Sequence, residues 1–181
     1  MMLRKFVIHL SGKSCSGKSS VAKILSDRLP SIYTIAYDKL KRQLAGYHRD
    51  KHAHLIKNLT LGFFEVVCKE NISVLLLSGF KNKTEYLQYR EITEKYGYTF
   101  VFIELTAPMD ILLHRFRERV ENAKREGGKL SVTDEGLFLE NASKDWFVPK
   151  GAVSFDTSKT APEIIADQII GLLQSSKSIQ E

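Results

Sequence analysis

The sequence predicts an α/β fold with a parallel sheet covered by helices on both faces. Three observations predict it. Short apolar runs alternate along the chain with longer segments of helical periodicity. The first run leads straight into a glycine-rich turn that opens a helix. No linker, internal repeat or membrane-length apolar run divides the 181 residues. One domain over residues 1–175 is expected, with a polar tail at 176–181.

Residues 6–10 (FVIHL) read as a buried strand. A helix follows from Gly17, with Val21, Ile24, Leu25 and Leu29 on one face, and Pro30 ends it. Residues 32–36 (IYTIA) form a second strand, and Asp38 starts a short basic helix. A polar segment over 46–54 leads into a helix ending near Glu70, with Leu55, Leu59, Phe63 and Val66 among its apolar positions. Residues 73–77 (SVLLL) are too short for a helix and read as a buried strand. Residues 83–96 are helical, with Gly97 as C-cap. A fourth strand spans 99–105, and Pro108 opens a helix that Gly127-Gly128 breaks. Residues 134–145 form another short helix with Thr133 as its N-cap. A fifth strand spans 153–155. The last helix has Thr160 and Glu163 at capping-box spacing, Pro162 in its first turn, and Ile165, Ile169, Leu172 and Leu173 as its buried stripe.

Composition narrows the function classes. A formal charge of +6 suits anionic partners such as ATP or nucleic acid, and equally a plain solvated surface. Two cysteines, Cys15 and Cys68, support neither a disulfide framework nor a zinc site. The basic, apolar N-terminus has no small-residue cleavage site and runs into the glycine motif, so a cytoplasmic location is expected.

Gly12-Lys13-Ser14-Cys15-Ser16-Gly17-Lys18-Ser19 matches G-x-x-x-x-G-K-[ST] in full. Glycines let such a loop turn tightly and aim its N–H groups at phosphates, and the following helix adds its positive end. Nucleotide contacts are expected from Gly12, Lys13, Ser14, Cys15, Ser16, Gly17, Lys18, Ser19 and Ser20. Lys18 would reach the β- and γ-phosphates, and the Ser19 hydroxyl would bind Mg²⁺.

Asp38, after the second strand, stands where ligands sit in such sheets. It can orient or deprotonate an acceptor hydroxyl, or simply cap the basic helix. A Walker-B carboxylate would fall at Ser78, which has none. Ser78 could instead hydrogen-bond a metal-bound water, or belong only to a turn. Arg115 and Arg119 share one helical face, while Arg117 points away. A lid over residues 109–145, hinged at Gly127-Gly128, would bring that pair to the transferring phosphoryl group. The bland alternative is a solvated helix pairing with Glu118 and Glu121. Arg90 is a weaker substrate-binding candidate or a helix stabiliser.

The phosphate loop, Asp38, Arg90, Arg115/Arg119 and "SFDTSKTAPEIIADQI" stand in the order found in small P-loop kinases. The chain resembles the branch containing the 5′-hydroxyl polynucleotide kinase domain, zeta-toxin-like kinases and chloramphenicol phosphotransferase-like kinases. That resemblance implies a three-layer α/β/α sandwich with a five-stranded parallel sheet, and ATP with Mg²⁺ as cofactors. It also implies that Asp38 binds or activates the acceptor hydroxyl, that Arg115 and Arg119 are lid arginines, and that Asp156 and Thr157 lie near the adenine. The expected reaction moves the γ-phosphate to a hydroxyl of a small molecule, a nucleoside or a nucleic-acid 5′ end. Ser78 departs from the family's common Asp. "SGF" is also similar to the turn after strand three in nucleoside monophosphate kinases, which keeps a phosphate acceptor open. A nucleotide switch or ATPase is the other alternative, although Asn82-Lys83-Thr84-Glu85 only approximates a guanine signature.

Overall fold

The computed structural model describes residues 5–128, 130 and 132–175, so the 176–181 tail lies outside the described residues. Five strands form one parallel sheet: β1 (Phe6–Ser11), β2 (Ile32–Ala36), β3 (Ser73–Leu77), β4 (Thr99–Thr106) and β5 (Val153–Asp156), in the order β2-β3-β1-β4-β5. The helices are α1 (Lys18–Arg28), α2 (Tyr37–Gln43), α3 (Arg49–Lys69), α4 (Lys83–Lys95), α5 (Met109–Glu126), α6 (Glu135–Ser143) and α7 (Pro162–Ser175).

The continuous apolar run of β1 is buried on both faces, as a central parallel strand requires. Its alternation splits the core. Phe6, Ile8 and Leu10 join Val21, Leu25, Ile165 and Ile169 from α1 and α7 on one face. Val7 joins Phe64, Val67, Tyr89 and Ile92 from α3 and α4 on the other. Chain direction reverses beside β1: α1 carries the chain past β3 to the edge strand β2, and α4 carries it back to β4. Ligands bind at the carboxyl end of such a switch point, where residues 12–17 lie.

Several local expectations shift. On α3 the buried residues are Ile56, Thr60, Phe64, Val67 and Cys68, while Leu55, Leu59, Phe63 and Val66 are exposed. Two adjacent stripes both satisfy the helical period, and only tertiary contact chooses between them. Asp134, not Thr133, caps α6, its carboxylate accepting from the Leu137 N–H at 2.7 Å. Helix α4 ends at Lys95 with Tyr96 as its cap residue, and Gly97 follows at φ 70°. Helix α5 ends as expected at Gly127, in the left-handed region.

Candidate active site

The phosphate loop joins β1 to α1, and its shape is imposed by crowding. A Cβ on Gly12 would stand 2.3 Å from the Leu105 carbonyl oxygen and 2.6 Å from Ser16 Oγ, at a φ of 141°. Only glycine fits there. Gly17 is left-handed at φ 86° and ends the loop directly before Lys18, the first residue of α1. Ser19 follows, exposed, at the positive end of the helix. Cys15 also holds a positive φ, 64°, which costs a non-glycine residue energy.

Two polar groups in this loop fit an anion. Ser16 Oγ is buried and has no hydrogen-bond partner among the described residues. The Lys18 ammonium donates to the carbonyls of Gly12 and Lys13, 2.7 Å each. Burial pushes its pKa down from 10.5 to about 8; the Asp38 carboxylate opposes that shift and Arg119 adds to it. Asp38 and Arg119 are therefore within electrostatic range of Lys18, although the three lie on α2, α5 and α1. A phosphate supplies negative charge for Lys18 and acceptor oxygens for Ser16 Oγ, so the residues fit a nucleotide phosphate.

Arg115 is held differently from Arg119. It donates to Thr157 Oγ1 at 2.9 Å, to Thr157 O at 2.7 Å and to Cys15 O at 3.4 Å. Thr157 also lies 3.6 Å from where a Gly17 Cβ would be. Arg115 thus straps the loop after β5 to the phosphate loop. Asp156 shapes that second loop: its carboxylate accepts from the Ser158 N–H at 2.9 Å and the Ser158 hydroxyl at 2.6 Å. The Ser158 hydroxyl and N–H hold its pKa below the usual carboxylate range. Arg90 is not brought to the loop. It pairs with Glu94 at 2.8 Å and lies over the Phe100 ring, toward the amino ends of the strands.

Helices α5 and α6, the segment expected as a lid, hold together through their own contacts. Phe116 and Phe138 stack at 4.3 Å, and Arg117 makes a two-pronged bond to Glu135 at 2.8 and 2.9 Å. Their apolar cluster reaches Cys15 of the phosphate loop. Beyond α6, the Phe147 N–H donates to Phe80 O at 2.9 Å, and the Trp146 ring would lie 2.8 Å from a Gly79 Cβ. The turn after β3 is therefore clamped from above.

Sequence reasoning missed His9 and Tyr37. His9, at the middle of β1, is fully buried, stacked 4.3 Å from Phe80 and 4.6 Å from Phe102. Its Nε2 stands 2.9 Å from Ser78 O and 3.1 Å from Ser78 Oγ. A carbonyl only accepts, so the proton is on Nε2, and Nδ1 is left without a partner among the described residues. Burial drives the pKa of His9 down to about 3, keeping it neutral. Tyr37, next to Asp38, lies near Tyr47; burial first and the Tyr47 hydroxyl second raise its pKa. The signal for both was position: His9 faces inward in an apolar strand, and Tyr37 directly precedes the acidic candidate.

Among the described residues no cluster of three or more His, Cys, Asp or Glu side chains could hold a metal, and no helix is long and apolar enough to cross a membrane.

Comparison with known proteins agrees with this architecture. Three solved kinases share the fold over nearly the whole chain. The APS kinase of Mycobacterium tuberculosis, solved with AMPPNP and APS, is 19% identical with a TM-score of 0.67, covering 96% of this chain and 99% of its own. A gluconokinase from Sinorhizobium meliloti is 17% identical with a TM-score of 0.63, covering 99% and 97%. Shikimate kinase from Aquifex aeolicus is 17% identical with a TM-score of 0.54, covering 96% and 99%. At these identities the likeness is one of fold. No curated protein sequence matches the chain. The AAA domain family model matches residues 7–137, from the first strand through the phosphate loop and α5 into α6, and the chain belongs to that family.

Proposed function

We propose that the protein is an ATP-dependent kinase that moves the γ-phosphoryl group to the hydroxyl of a small acceptor. The observation that carries this reading is the phosphate loop itself, whose buried Ser16 hydroxyl and Lys18 ammonium fit an anion, with Asp38 and Arg119 within electrostatic range of that lysine. A nucleotide loop alone serves many reactions. A carboxylate within electrostatic range of its lysine supplies what acceptor activation needs.

In the proposed reaction the loop N–H groups and Lys18 hold the β- and γ-phosphates. The acceptor oxygen attacks the γ-phosphorus, the bond to the β–γ bridging oxygen breaks, and ADP leaves. Asp38 orients the acceptor hydroxyl and takes its proton. Arg119 offsets charge on the transferring group. Arg115 keeps Thr157 against the phosphate loop, where the base end of the nucleotide would lie. Mg²⁺, when bound, would neutralise phosphate charge, held by the Ser19 hydroxyl and the nucleotide's own oxygens. Helices α5 and α6 close as one body, since the Phe116–Phe138 stack and the Arg117–Glu135 pair join them.

The kinase reading is tested by ATP consumption against a broad acceptor panel that includes sugars, nucleosides and 5′-hydroxyl oligonucleotides. One acceptor should stimulate turnover. The Asp38→Asn protein should bind ATP like wild type yet lose at least about 10²-fold in turnover with that acceptor. Wild-type turnover by Asp38→Asn removes the proposed base, and no stimulation by any acceptor overturns the kinase reading.

A further inference from the structure

The apolar stripe that α3 leaves exposed is organised. Leu55, Leu59, Phe63 and Val66 are 39%, 42%, 44% and 59% exposed. They lie about 115° round the helix from the residues it buries, at about 100° per residue. Gly62 sits among them, and a Cβ there would meet nothing within 4 Å. Its own chain gives this glycine no steric reason, and a glycine inside a helix weakens it. A second backbone passing close to the stripe would supply that reason.

The stripe is also self-complementary. About a midpoint between residues 60 and 61, Lys51 pairs in sequence with Glu70, Leu55 with Val66, Asn58 with Phe63, and Leu59 with Gly62. All eight are exposed. An antiparallel copy of the helix would set each residue against its counterpart. Lys51 and Glu70 would meet as opposite charges at both ends, and neither has an ion-pair partner in its own chain among the described residues. A parallel pairing would set Lys51 against Lys51.

We infer that α3 is the interface of a symmetric homodimer, in which two copies cross antiparallel with Leu59 of one packed over Gly62 of the other. A two-fold axis through the midpoint makes each contact twice. The helix is about 32 Å long at 1.5 Å per residue. Apolar surface continues beyond its carboxyl end through Ile72, 37% exposed, and Tyr33 on the edge strand, 47% exposed. Tyr33 is in register with Val74 and so faces the α3 side of the sheet. Together these extend the helix contact toward the roughly 800 Å² per partner of an ordinary stable interface. The same contact would screen the open edge of β2.

Sedimentation equilibrium of the full chain tests this, over about 1 to 100 µM protein, the range of a moderate dimer. The expected species has twice the chain mass of 20.6 kDa. Leu59→Glu should raise the dimer Kd by about 100-fold with an unchanged circular dichroism spectrum, since the residue is outside the core. Gly62→Ala separates folding from association: the chain should melt higher and dimerise less. Lys51→Glu and Glu70→Lys should each weaken the dimer about 3- to 10-fold, and the double swap should restore it. A monomer throughout the range overturns the inference, as does a dimer indifferent to Leu59→Glu. A double swap weaker than either single change overturns the antiparallel register.

Discussion

Replacing Lys18 by methionine should stabilise the nucleotide-free protein while removing its response to ATP. Methionine retains most of the aliphatic stem and loses only the charge. A pKa lowered from 10.5 to about 8 corresponds to about 3 kcal/mol against the protonated side chain. Lys18 is partly open to water at the mouth of the loop, and two carbonyl bonds are lost with the ammonium. Both discount the gain to roughly 1–3 kcal/mol. The pH dependence follows from the direction of the shift. Below pH 8 both the folded and unfolded chains hold the proton, so the penalty is fully present. Between about 8 and 10.5 only the unfolded chain holds it, so wild-type stability rises with pH across that window. The advantage of Lys18→Met should therefore be largest near pH 7 and vanish by about pH 10.5. Urea unfolding of both proteins at several pH values measures this, since other titrating groups cancel in the difference. A second series with Mg²⁺-ATP should stabilise wild type alone. A methionine variant less stable than wild type at pH 7, or a difference independent of pH, would refute the reasoning.

Two further outcomes follow from the same geometry. His9 is held near pKa 3 when folded against 6.5 when hydrated, so its contribution is complete above pH 6.5 and lost as the pH falls toward 3. His9→Gln does not titrate and can still donate to Ser78 O; between about pH 6.5 and 4 it should lose about 3 kcal/mol less stability than wild type, and superimposable acid limbs would remove the buried neutral imidazole. Gly12→Ala drives a Cβ into the Leu105 carbonyl at a positive φ, so it should cost more than about 2 kcal/mol in urea unfolding and abolish binding of a fluorescent ATP analogue; near-wild-type nucleotide affinity would show that the loop can relax.

The order of strands and helices was legible because a buried parallel strand reads as an unbroken apolar run, and these runs are bounded by Gly12, Pro30 and Asn71. The phosphate loop was legible because its chemistry is local: the spacing of the glycines and of Lys18 lies within one turn of chain. What was not legible depends on which segments meet. Nothing in the spacing of Arg115 and Arg119 says that one bonds to Thr157 while the other comes within electrostatic range of Lys18. The apolar positions of α3 show the same limit. Leu55 and Ile56 are neighbours in sequence with similar side chains, and only the position of the sheet decides that Ile56 is covered. Arg90 reads in sequence as either a substrate contact or a helix stabiliser, and only its place on α4 shows that it sits beside Glu94 and Phe100.

The departure at Ser78 and the histidine beside it belong together. An aspartate at position 78 would set a carboxylate within reach of the imidazole that now stands 3.1 Å from Ser78 Oγ. A nearby anion favours the protonated ring, and that cation would be buried between Phe80 and Phe102. Serine avoids this conflict. Its carbonyl and hydroxyl oxygens both accept from Nε2–H, which leaves the hydroxyl proton free to point toward the loop. The neutral ring thereby orients a neutral hydroxyl at the position where a Walker-B acid would help to hold Mg²⁺. In the proposed reaction the cation must then rely on Ser19 and the phosphate oxygens, and negative charge from the protein reaches the loop through Asp38 on α2. That carboxylate is also within electrostatic range of Lys18, so in the proposed reaction the acid that would activate the acceptor would also tune the lysine that holds the phosphates.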